Sequence, residues 1–421
     1  MHARRGLAAL LVSILPVSAG AQDAAQRRLA ADVAVLAADR LEGRLTGSAG
    51  ALAAAEHIAG GFRRARLRPG MAGGWFQDFR IAPDAPALHG TELAAREGLS
   101  GRNVVAVLPG RDPALRGEAV VIGAHYDHLG RGVVGSRDTG STALIHNGAD
   151  DNASGTATLL EAARILAAAP PRRTVVFVAF SGEELGLLGS GAYVREPAVP
   201  MERTVAMINL DMVGRLRSDR LMALGAGTAA ELRGLLDSLN REAGFELRAG
   251  GDGYGASDHQ SFYLARRPVI HFFTDLHEDY HRASDDPEKL NVAGMARIAR
   301  FTAALAGALG DRTTPLTFVE APRPAPVAGS RGYGTWLGTI PDMSGGGPGV
   351  RLSGVTPGSP AEGAGLRAND VLLRLGSFDI ADLQAMTNAL RSLQPGDTVP
   401  VVVRRGERID TVRAVLGRRA R

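Results

Sequence analysis

Two polar clusters in this chain carry the residue types on which chemistry can be built. His125-Tyr126-Asp127 closes the apolar run at residues 120–124, and Gly148-Ala149-Asp150-Asp151-Asn152-Ala153-Ser154-Gly155 follows beyond a Gly-rich loop. Imidazole and carboxylate delivered together suit a divalent metal, and zinc accepts both ligand types. The pattern repeats downstream. Residues 175–180 run into Ser181-Gly182-Glu183-Glu184, residues 205–210 end on Asp211, and residues 268–273 lead to a loop carrying Asp279-Tyr280-His281. Each apolar run thus ends on a side chain able to bind metal.

Such runs read as buried parallel strands, and open α/β sheets place their ligands at the carboxyl edge of those strands. Helical stretches lie between them: residues 50–64, 156–169 stopped by Pro170-Pro171, 185–194, 229–243 ended by Gly244, and 292–309. The expected fold is α/β, with a mixed, mostly parallel central sheet and helices on both faces. Residues 75–79 and 103–108 add strands to it. Residues 41–48 form a loop whose Glu42 and Arg44 either approach the cleft or stay solvated. The Gly-rich stretch 128–147 is expected at the cleft rim, with His128 and His146 off the metals. His271, inside an apolar strand, is expected to be buried and hydrogen-bonded.

At 421 residues the chain has length for two domains and a large core. Its formal charge is +4, and setting aside Arg4 and Arg5 leaves 46 basic against 44 acidic residues, a net of +2. Nearly every basic residue is Arg, Lys289 being the one lysine, and they are scattered. No nucleic-acid footprint is therefore expected. Residues 1–21 have a basic start, an apolar stretch at 7–17 and a small-residue end, Ala19-Gly20-Ala21. That is the layout of a secretory signal peptide, with cleavage expected before Gln22. No lipobox cysteine is present, no later segment reads as long enough to span a bilayer, and none is expected to insert stably in a membrane. A secreted or periplasmic protein without disulfides is the expectation, held by core burial and bound metal. The expected division is signal peptide 1–21, a catalytic domain 22–310, a Pro/Ala-rich linker 311–329 and a second unit 330–421.

Taken in order, His125-Tyr126-Asp127, the Gly148–Gly155 cluster, Glu183-Glu184, Asn209-Leu210-Asp211 and Tyr280-His281 resemble the dinuclear zinc aminopeptidases. The likeness covers residues 23–310. It implies that two zinc ions are cofactors. His125 and Asp211 would hold one, Glu184 and His281 the other, and Asp151 would bridge them, Asp150 being the competing register. Two dications close together need a shared anion, and five ligands leave positions open for water. Asp127 would orient the His125 ring by its carboxylate. Glu183 would stand off the metals as general base, passing a proton from water to the leaving amine. Tyr280 would donate to the developing oxyanion. Ser257-Asp258-His259 is expected to brace the substrate loop, and Asp285 the His281 loop.

The final unit resembles a PDZ domain, a small β-sandwich or barrel with helices. Trp336-Leu337-Gly338 would be its carboxylate-binding loop, open to the C-terminus of a peptide that adds a strand. The Gly345-Gly346-Gly347 insertion departs from compact versions. The function implied is a metallopeptidase, a hydrolase that removes N-terminal residues from peptides with a free N-terminus. Alternatives are a glutaminyl cyclase-like enzyme with one metal and an inert peptide-binding scaffold.

Overall fold

A computed structural model describes residues 19–82, 98–132, 135–138, 144–322, 335–341, 349–380 and 383–418. The first eighteen residues of the expected signal peptide, the Gly345–Gly347 insertion and residues 323–329 of the expected linker lie outside these. The chain divides into two compact units, Met1–Ala321 and Pro322–Arg421.

The first unit opens with α1 (Ala19–Leu36) and α2 (Ala49–Arg64), then β1 (Arg68–Pro69), β2 (Phe76–Arg80), β3 (Ser100–Leu108) and β4 (Ala119–His125). Next come α3 (Gly155–Ala168), β5 (Thr174–Phe180), α4 (Leu188–Arg195), β6 (Thr204–Leu210) and β7 (Arg220–Leu224). It closes with α5 (Leu232–Ala243), β8 (Glu246–Gly250), α6 (His259–Leu264), β9 (Val269–Phe273) and α7 (Val292–Asp311). The strands form one mixed sheet in the order β1-β3-β5-β4-β6-β9-β7-β8, with β2 also on β3.

Only the centre of that sheet is continuously parallel. β5, β4, β6 and β9 run together, while β3 and β7 flank them antiparallel. Every residue of β4, β5 and β9 is buried, which explains their unbroken apolar runs. Because the four strands point one way, His125, the turn after Phe180, Asp211 and the loop after Phe273 emerge at one edge. A large core lies against α1, α2, α3, α5 and α7, and a smaller one containing Phe180, Tyr193 and Phe262 packs under α4 and α6. Gly123 in β4 is small because the Phe180 ring crosses it: a Cβ there would stand 2.4 Å from that ring.

Three expectations change. The helix expected at 185–194 starts at Leu188. Glu183 O accepts from the N–H groups of Gly186 and Leu187, and positive φ at Gly182, Gly186 and Leu187 makes this a turn that a helix cannot enter. Residues 312–321, expected in the linker, stay with the first unit. Phe318 bridges to Ala229 and packs on Tyr263, whose hydroxyl accepts from Ala321 N at 2.7 Å. Finally, α7 is long and apolar enough to cross a bilayer by length and composition, contrary to expectation. It is a core helix packed on α1, α3 and α5, with Met295, Ile298, Phe301 and Leu305 inside.

The second unit holds β10 (Thr335–Trp336), β11 (Thr339–Pro341), β12 (Val350–Val355), α8 (Pro360–Gly363), β13 (Val371–Leu375) and β14 (Phe378–Asp379). It continues with α9 (Leu383–Ser392), β15 (Thr398–Arg405), β16 (Arg408–Val415) and β17 (Gly417–Arg418). β11-β12-β13-β15-β16 make an antiparallel sheet around Leu337, Leu352, Leu372, Val401 and Val403. Leu337 is core. The carbonyls of Leu337 and Gly338 accept from Ala361 N and Thr356 N, so the loop is clamped against the start of α8. Gly338, at φ +82°, leaves room for Ser359, whose Cβ would be 2.2 Å from an added Cβ.

Candidate metal centre

The edge built by the four parallel strands gathers five side chains from separate stretches of chain. His125 Nε2 lies 3.3 Å from Asp151 Oδ1 and 3.4 Å from Asp211 Oδ1. His281 Nε2 lies 3.3 Å from Asp151 Oδ2 and 3.3 Å from Glu184 Oε2. For zinc bonds of about 2.0–2.1 Å, the edge of a ligand tetrahedron is about 3.3–3.4 Å. All four separations match that edge. They fall into two sets that share only Asp151, one carboxylate oxygen to each. The donor set fits two zinc ions.

The electrostatics agree with the spacing. Burial pulls the His125 and His281 imidazoles down, but the carboxylates around them win, lifting His281 to about 10 and His125 well above its ordinary range. Burial pushes the Glu184 carboxyl up, and His281 and His128 bring it down to about 2. The centre of the cluster therefore favours positive charge, the condition for binding cations.

The loop holding Asp151 is fixed from several sides. Asp150 is engaged elsewhere than at His125 and His281, its Oδ1 accepting from Gly214 N at 2.7 Å and its Oδ2 lying 3.1 Å from His277 Nε2. Asp285 Oδ2 accepts from both Asp150 N and Asp151 N, so it braces the bridging loop rather than that of His281. Asn152 ties the same loop to β6 through Leu210 O and Met212 N.

Around the five groups stand the other expected residues. The His125 Nδ1 contact comes from the backbone carbonyl of Asp127 at 3.2 Å, with the carboxylate farther off at 3.7 Å. That carboxylate instead accepts from Glu183 N at 3.2 Å and Thr46 Oγ1 at 2.8 Å. Asp127 therefore grips the turn bearing Glu183, and its carbonyl holds the ring. Glu183 lies beside His125 and Asp211, with ligand-type atoms of the three within 4.8 Å of one another. Burial pushes its carboxyl well up, and Glu184, Asp211 and Asp258 add to this against the pull of His125. Tyr280 stacks on the His281 ring at 3.9 Å. Burial and the nearby Asp151 and Glu184 hold its phenol proton well above the usual range. Ser257 Oγ donates to Asp211 Oδ2 at 2.7 Å, and His271, buried as expected, contacts Asn209 at 3.1 Å.

Two residues that sequence reasoning left at the margin are central here. His128 is fully buried, its Nδ1 2.8 Å from Glu184 Oε1. Arg44 is fully buried and donates to the carbonyls of Leu36, Tyr126, Asn147 and Gly148. Both sit in aperiodic stretches, where neither spacing nor propensity announces a contact. His146 is buried as well, 2.8 Å from Ser136 Oγ.

Comparison with known proteins places this geometry in context. Residues 103–306 match the model of peptidase family M28, and residues 330–416 match that of the PDZ domain. Leucine aminopeptidase 1 of Uncinocarpus reesii is 31% identical over 224 residues, covering 48% of this chain and 53% of that protein. Aminopeptidase YwaD of Bacillus subtilis is 39% identical over 98 residues, or 23% of this chain and 18% of its own. The chain thus spans about half the length of the first of these relatives and less of the second. In fold, it is similar to BSAP, a zinc aminopeptidase from Bacillus subtilis, with a TM-score of 0.56 and 18% identity over 69% of this chain and 98% of that one. The LapA aminopeptidase of Legionella pneumophila gives 0.52 and 20% over 75% and 80%.

Proposed function

Because residues 103–306 match the model of peptidase family M28 and residues 330–416 that of the PDZ domain, we propose that this chain is an exported dinuclear zinc aminopeptidase. The observation that carries the reading is the pair of tetrahedral edge sets meeting at Asp151, with Glu183 beside them. Its substrates are peptides with a free N-terminus. Export, to the periplasm or beyond the cell, rests on the basic-apolar-small order of residues 1–21.

His125 and Asp211 would hold the first ion, Glu184 and His281 the second, and Asp151 would be shared between them. When bound, zinc supplies a water acidic enough to attack near neutral pH and a Lewis acid for the scissile carbonyl. The chain supplies the rest. Glu183, its backbone N–H fixed on Asp127, takes the proton of the attacking water on its carboxylate and hands it to the leaving amine. Tyr280 keeps its phenol proton and donates it as a hydrogen bond to the oxygen that gains charge. Replacing Tyr280 by Phe is expected to lower kcat about 100-fold with little change in KM; an unchanged kcat would remove Tyr280 from the reaction.

The test of the reading is zinc content together with turnover. Purified protein is expected to hold two zinc ions per chain and to hydrolyse aminoacyl-arylamides, to lose activity to a chelator, and to regain it with added zinc. One ion per chain would favour the cyclase-like alternative. Two ions without hydrolysis of any N-terminal residue would favour a binding protein. For the second unit, we propose that Trp336, Leu337 and Gly338 receive the carboxylate of a peptide C-terminus.

A further inference from the structure

His128 is an imidazole at the cluster to which the reading above gives no task. It has no exposed surface, and its backbone N–H donates to Arg44 O at 3.3 Å. It also lies where Gly148 leaves space, since a Cβ on Gly148 would stand 2.5 Å from its Cγ and Cδ2. From there Nδ1 reaches Glu184 Oε1 at 2.8 Å, while Asp151 Oδ2 is 3.9 Å away.

His128, Asp151 and Glu184 offer ligand-type atoms within 4.8 Å of one another, so His128 is itself a candidate ligand, and these two distances speak for support instead. A nitrogen completing the second tetrahedron would stand about 3.3–3.4 Å from each neighbouring ligand atom. Instead, one separation is hydrogen-bond length and the other is well beyond the edge. Glu184 divides its oxygens accordingly, Oε1 to His128 and Oε2 to the His281 side. The proton belongs on Nδ1. An ionised carboxylate can only accept, and Nε2 has no partner among the described residues, so a proton there would strand a buried donor.

We propose that His128 is a positioning residue for the second ion, donating from Nδ1 to Glu184 Oε1 so that Oε2 is presented beside His281 and Asp151. The proposal rests on the dinuclear reading above. It makes His128 a determinant of how tightly the second zinc is kept, separate from the five groups that touch metal.

The test is an equilibrium zinc titration of metal-free full-length protein against a chromophoric chelator. It is run on the wild type, His128→Ala and His128→Asn, with Asp211→Ala identifying which constant belongs to the second site. Asn places an amide N–H on the same atom path as Nδ1, yet is a poor zinc ligand. His128→Ala is expected to weaken the second ion 10–100-fold and leave the first within about twofold; His128→Asn is expected to recover most of the loss. Unchanged binding by His128→Ala overturns the proposal. So does His128→Asn binding as weakly as Ala, which would make the ring nitrogen itself a ligand. If His128→Ala does not fold, His128→Asn decides alone by retaining or losing the second ion. A wild type with one zinc site sinks the dinuclear reading itself, an outcome distinct from the others because it appears before any substitution.

Discussion

Glu183→Gln is expected to lower kcat for aminoacyl-arylamides about 1000-fold, with two zinc ions and the fold retained. The substitution preserves volume and leaves the backbone N–H that donates to Asp127 Oδ1 in place, so the turn carrying residues 183 and 184 should not move. What disappears is the ability to accept a proton. KM is expected to change little, because the loss falls on a group used in the transition state and not in holding the peptide. Zinc content matters as much as rate here. Ligand-type atoms of Glu183, His125 and Asp211 lie within 4.8 Å of one another, so a variant that lost its first ion would make Glu183 a ligand. Undiminished turnover with both ions present would end its assignment as base. The reading therefore predicts an inert protein that still counts two metals.

The parts of this centre that were legible in the sequence are those tied to strands. A buried parallel strand is written as an unbroken apolar run, and the first polar residue after it sits at the ligand edge. His125 and Asp211 follow from that rule directly. Glu183 and Glu184 follow with one residue of ambiguity, which the turn at Gly182 and Gly186 resolves by sending them to different clusters. His281 lies farther from its strand, and resemblance rather than periodicity singled it out. The supporting groups were not legible. Asp285 binds the N–H groups of Asp150 and Asp151 from a loop more than a hundred residues away in sequence. Likewise, the carbonyl of Asp127 stands closer to His125 Nδ1 than its carboxylate does, 3.2 Å against 3.7 Å. Backbone contacts leave no mark on residue type. The first unit also extends past the expected boundary, since half-buried Phe318 packs on Tyr263 from within a proline-rich stretch.

Arg44 shows what such invisible contacts are worth. Its guanidinium is fully enclosed and donates to four backbone carbonyls, at 2.6 Å to Tyr126, 2.5 Å to Leu36, 2.7 Å to Asn147 and 3.0 Å to Gly148. Burial draws the group down to about 10, while Asp127, Asp151, Asp285 and Glu184 pull it the other way, so it is charged at neutral pH. Its backbone stands at φ +49°, after Glu42 at +48° and Gly43 at +67°, a conformation the chain adopts at some cost. Replacing Arg44 by Met releases the desolvation of the charge, which works in favour of the variant. Against that, each carbonyl left unpaired costs about 1–3 kcal/mol. Gly148 O keeps its bond from Ala153 N; with the other three left unpaired, the second effect still wins, and a net loss of about 3–5 kcal/mol follows. In a unit of this size that lowers the melting temperature by roughly 10 °C. Arg44→Lys should recover little, since one ammonium lacks the planar fork that reaches several acceptors at once. Activity should fall with stability, because Tyr126 lies between His125 and Asp127, and Gly148 opens the stretch that delivers Asp151. Thermal unfolding of metal-free protein isolates the first effect, and zinc content the second. A melting temperature within about 2 °C of wild type would mean that water can replace the guanidinium, and that the two loops bearing His125 and Asp151 are held by their other bonds alone.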